Sequence, residues 1–73
     1  MKKYAVVIEH GDNNLSAYVP DLPGCITTGQ TVEEIGRNIR EAIELHLEGM
    51  LEDGDQIPEP HTEVAYVELQ PAG

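Results

Sequence analysis

Seventy-three residues with 14 acids against four Lys and Arg, a formal charge of −10 and a pI near 4.3 describe one acidic domain, and exclude phosphate-backbone binding as its main business. A chain this short buries only about 60% of the surface its unfolded form exposes, so its stability margin is thin. The single cysteine, Cys25, rules out an internal disulfide. Association with another chain is the expected support, and a lone cysteine without secretion signal or bilayer-length apolar run points to a reducing cytoplasm.

The run Lys3 to Glu9 is β-branched and aromatic, with Tyr4, Val6 and Ile8 on one face and Ala5 and Val7 on the other. Apolarity on both faces predicts a central strand. Gly11-Asp12-Asn13-Asn14 turns the chain, and Leu15 to Val19 alternates again, completing a β-hairpin. Val19-Pro20-Asp21-Leu22-Pro23-Gly24-Cys25 is then a stiff connector. Each proline fixes φ and removes a donor, and the residues before them, Val19 and Leu22, are held extended. Cys25 to Thr28 follows as a short third strand.

Thr31-Val32-Glu33-Glu34 has the form of a capping box, with Thr31 as N-cap and Glu34 at N3. Val32, Ile35, Ile39, Ala42, Ile43, His46/Leu47 and Met50 recur at helical spacing and form one stripe facing the sheet. Gly36 on its edge is expected to let helix and sheet approach closely, and Gly54 in Asp53-Gly54-Asp55 is the expected helix stop. Ile57-Pro58-Glu59-Pro60 is a second stiff connector. His61 to Leu69 alternates once more and predicts a fourth strand, placed parallel beside the first by the right-handed crossover rule. The expected fold is α+β, β-β-β-α-β, with sheet order 3-2-1-4 and one helix on one face. Residues 1–73 are expected to form a single domain.

Glu41, Glu44, Glu48 and Glu52 fall at i, i+3, i+7 and i+11, which sets four carboxylates in one arc opposite the apolar stripe. Such an arc is either a solvated helix face or a docking surface for a basic protein. Leu45 and Leu51 lie off the main stripe, where they would thicken an interface between copies. His10, His46 and His61 lack metal-ligand spacing, so no metal or cofactor is expected. Cys25 has no neighbouring base to make a thiolate and reads as a small buried side chain. Asp21 is expected to satisfy backbone donors of its own turn.

Pro20-Asp21-Leu22-Pro23-Gly24-Cys25, Gly29-Gln30-Thr31-Val32-Glu33-Glu34-Ile35 and Ile57-Pro58-Glu59-Pro60, in this order, resemble the HicB-like antitoxin family across nearly the whole chain. The resemblance implies a fold like a truncated ribonuclease H without nuclease activity. It also implies that the domain binds and neutralises a small basic RNA-cleaving toxin of the HicA type. Many members carry a C-terminal DNA-binding segment; none is expected within residues 1–73, and no catalytic residues carry over. Glu41, Glu44, Glu48 and Glu52 are the candidate partner contacts, with Pro20 to Cys25, Thr31 and Glu34 as the structural motif. Two other readings stand beside this one: an oligomeric structural or regulatory protein pairing an open sheet edge, and a metal-dependent nuclease using Glu9, Asp21 and Glu34.

Overall fold

A computed structural model describes residues 2–72; Met1 and Gly73, both inside the predicted 1–73 domain, lie outside the described residues. Three strands, β1 (Val7–His10), β2 (Leu15–Tyr18) and β3 (Ile26–Gly29), precede one helix, α1 (Val32–Glu52). The sheet is antiparallel in the order β1-β2-β3. Its register aligns Val7 with Tyr18 and Tyr18 with Ile26, so these three form a row on one face. Leu15, Ala17 and Val19 point to the opposite face and are buried there under Ile35 and Ile39 of α1.

The helix begins as its sequence dictates. The Glu34 N–H donates to the Thr31 hydroxyl at 3.1 Å, which is Thr31's half of the capping box. The return bond from the Thr31 N–H to the Glu34 carboxylate is not made among the described residues. At the other end Gly54 N–H reaches the Leu51 carbonyl at 3.2 Å and Asp55 N–H the Met50 carbonyl at 2.9 Å. This is a Schellman closure, and it requires the left-handed backbone of Gly54, φ +77°. α1 packs on β3 and less extensively on β2, and the Asn38 side-chain amide donates to the Thr28 carbonyl at 2.9 Å. The close approach of helix to sheet occurs at Gly29, where a Cβ would meet the Ile35 side chain at 3.3 Å. Gly36, expected to serve that purpose, is exposed with open space around it.

The connector between β2 and β3 is two successive β-turns. Leu22 N–H donates to the Val19 carbonyl at 3.1 Å, and Cys25 N–H donates to the Leu22 carbonyl at 3.0 Å. Each turn has proline at its second position, and Gly24, φ +86°, takes the third position of the later one. Val19 N–H to the Cys25 carbonyl, 3.1 Å, closes the pair. The folded connector drives Leu22 inward until it is completely buried.

Among the described residues the expected fourth strand, parallel to β1, is not formed. Among these the sheet has three strands, β1 is an edge rather than central, and residues 61–69 join no strand ladder. A strand needs a ladder as well as an alternating pattern, and no hydrogen bond joins 63–72 to the rest of the described chain. The chain after the helix is instead tied down at its root and leaves the body as an extended arm. The largest dimension of the molecule is therefore 56 Å against 28 and 19 Å in the other two directions.

Candidate functional site

Glu41, Glu44, Glu48 and Glu52 lie on one exposed arc of α1, as their spacing requires. None of the four makes an ion pair among the described residues. Leu45, 69% exposed, borders the arc, and together with Glu41, Glu44 and Glu48 it lines a shallow open depression. Arg37 and Arg40 lie one to two turns nearer the helix start, beside Glu33, Glu41 and Glu44. The arc thus becomes more negative toward its C-terminal end, where the last turn holds no base to offset the helix dipole. Chemically, a carboxylate ridge beside one apolar side chain can accept Lys and Arg side chains and cover their stems.

Asp21 does something different from what its turn suggested. The N–H groups of Val19, Leu22 and Cys25 are satisfied by backbone carbonyls, and the buried Asp21 carboxylate reaches forty residues downstream. Its Oδ2 accepts from the backbone N–H of His61 at 2.9 Å and of Thr62 at 3.1 Å, while Oδ1 accepts from the Thr62 hydroxyl at 2.5 Å. The His61 ring, at 3.2 Å, completes the clasp. The Thr62 hydroxyl first, and then the two N–H groups and the His61 ring, hold the Asp21 carboxyl below the ordinary carboxylate range against the opposing effect of burial. Two more ties lie just upstream: the Tyr4 hydroxyl donates to the Pro58 carbonyl and the Lys2 ammonium to the Glu59 carboxylate, both at 2.6 Å.

The carboxylates weighed for nuclease chemistry are not gathered. Glu9 sits exposed on β1, Asp21 is committed to the clasp, and Glu34 lies in the first helical turn. Among the described residues no three His, Cys, Asp or Glu side chains are placed to hold one metal ion. Cys25 is buried, and burial pushes its thiol up, away from the thiolate. No described helix is long and apolar enough to cross a membrane.

A helix capped at both ends and laid across one antiparallel sheet, with a double-proline turn clasping the segment that follows, defines a small α+β class of domain. The model of the HicB-like antitoxins of bacterial toxin–antitoxin systems matches residues 4–72, and the chain belongs to that family. It is 39% identical to an uncharacterized 14.9 kDa protein of Haemophilus phage HP1 over 88% of this chain and 48% of the phage protein. It is 54% identical to a UPF0150 protein of Helicobacter pylori over 56% of this chain and 57% of that one. The chain thus spans about half the length of these two relatives. A UPF0150 protein of Thermoplasma acidophilum is 39% identical over 84% of this chain and 90% of its own. Among solved structures, a chain of the HicA3 and HicB3 toxin–antitoxin complex superposes with a TM-score of 0.71 at 30% identity, covering 82% of this chain and 70% of that one.

Proposed function

We propose that this chain is the neutralising component of a toxin–antitoxin pair and acts by binding a small basic RNA-cleaving toxin of the HicA type, without catalysis of its own. The observation that carries this reading is the exposed arc of Glu41, Glu44, Glu48 and Glu52 bordered by Leu45, on a domain whose fold recurs in a solved toxin–antitoxin complex. A toxin that grips RNA through Lys and Arg presents the charge and the donors this arc lacks. Carboxylates fixed on a rigid helix would steer that partner in and occupy its RNA-binding surface. In this reading the 73 residues are one partner-binding domain.

The test is co-expression with the product of the neighbouring gene, followed by gel filtration at low and moderate salt. A small basic protein should co-elute, and its retention should weaken as salt rises. Glu48→Lys should weaken capture further while leaving the fold intact. Absence of any such protein in the complex at both salt concentrations would remove the reading's main support.

A further inference from the structure

The chain exposes 6028 Å², whereas a compact monomer of its mass exposes about 4,500 Å². Its radius of gyration is 14.8 Å, against about 11 Å for a compact chain of this length. The excess, about 1,500 Å² per chain, is more than the roughly 800 Å² each partner contributes to a standard stable interface. Much of it belongs to residues 63–72. Within this arm Val64, Tyr66, Val67 and Leu69 are all exposed, Tyr66 at 96% and Leu69 at 86%.

The body presents a surface of matching kind. β1 is an edge strand, so one side of its backbone has no partner among the described residues. Because α1 packs over β3 and β2, the helix-facing side of β1 is left partly open, and a groove of about 400 Å³ lies between β1 and the chain's own arm, lined by Val6, Val7, Ile8, His10 and Val32 on the body and by Val64 and Tyr66 of the arm. The arm passes beside this groove without bonding to it. Residues 63–69, fully extended, span about 23 Å, longer than the edge of the four-residue β1. Pro58 and Pro60 stiffen the segment before the arm, and the Asp21 clasp fixes where it starts.

We propose that the arm is a fourth strand given to a second copy of this chain: residues 63–69 of each protomer pair with the β1 edge of the other, forming a two-fold, arm-exchanged dimer. Exchange supplies the ladder and the apolar cover that the arm lacks alone, and it removes the β1 edge from both copies. The arm contributes apolar side chains to both faces, as a strand covered on two sides requires. Two chains of charge −10 repel, but the acidic groups at the pairing segments are confined to Glu63 and Glu68 on the arm and Glu9 on β1. Added salt screens the general repulsion, so the dimer tightens with salt, whereas a complex with a basic toxin loosens. The proposal does not depend on the toxin reading.

The full chain alone is the material for the test. Light scattering at about 50 µM should give twice the 8.0 kDa chain mass, and the same or tighter association at high salt. Tyr66→Lys combined with Val67→Asp changes only side chains that are exposed in the single chain. This variant should return the mass to 8.0 kDa with helical dichroism unchanged. Contact between copies is read by mixing unlabelled chains carrying a spin label at Ala65→Cys with ¹⁵N wild-type chains. The amide signals of Val6, Val7 and Ile8 should lose intensity, and those of Ile26 to Gly29 should not. The proposal is overturned by a mass of 8.0 kDa throughout, by a dimer that survives the double substitution, or by signal loss confined to β3.

Discussion

β2 and the arm are written in the same pattern and meet opposite fates. Leu15, Ala17 and Val19 alternate with Ser16 and Tyr18, and the first three are buried at 8% exposure or less. Val64 and Tyr66 alternate with Ala65, Val67 and Leu69, and every one of them is exposed. β2 has a bonded strand on each side and a helix above; the arm has neither. Alternation therefore specifies two faces of an extended segment, and neighbours decide whether either face leaves water.

The comparison is sharpened most at Leu22, the residue that the β2–β3 turn drives into the core. Leu22→Ala should cost about 2–5 kcal/mol in urea unfolding, because it removes fully buried methyl groups and leaves a cavity. A 73-residue domain holds only about 4–11 kcal/mol in all, so this one change takes a large share of it.

The clasp marks the boundary between the buried and the exposed regions, and acid is the way to open it. The Asp21 carboxyl titrates below its ordinary value when folded, so its contribution is complete above the unfolded pKa of about 3.9 and is lost as pH falls through the lower folded value. Wild-type chain should therefore lose amide-exchange protection at His61 and Thr62 in acid, ahead of the β2–β3 ladder. In Asp21→Ala that protection should be absent at neutral pH as well. Residues 63–72 make no such bonds in the single chain, and their exchange should not change.

A smaller effect belongs to the start of α1. Thr31→Ala removes the acceptor for the Glu34 N–H and should cost about 1 kcal/mol, read as a fall in the urea midpoint with unchanged slope.

What the sequence made legible follows the range of the interactions involved. The hairpin, the Thr31 cap, the Gly54 stop and the Ile35/Ile39 stripe rest on neighbours within about four residues, and all are present. The arc of Glu41, Glu44, Glu48 and Glu52 was legible for the same reason, as a consequence of helical spacing. Asp21 was misassigned because its partners lie forty residues away, and no local pattern distinguishes a carboxylate that caps its own turn from one that reaches across the fold. The burial of Leu22 was missed too, although an apolar residue between two prolines in a polar turn was a signal for it. The fourth strand was legible as a pattern, but its pairing was not, because register and partner are properties of a sheet and not of one segment.

The smallest effect is the most discriminating. Leu69→Ala should change the unfolding free energy of dilute, single chains by less than about 0.5 kcal/mol, since the side chain touches little and is 86% exposed. The same chemical change at Leu22 is several times larger. If copies exchange arms, Leu69 becomes part of a covered strand at high concentration, and Leu69→Ala should then lower the thermal midpoint of concentrated samples while leaving dilute ones alone. A midpoint that shifts equally at both concentrations would place Leu69 in the fold of the single chain, and the contrast between β2 and the arm would fail there.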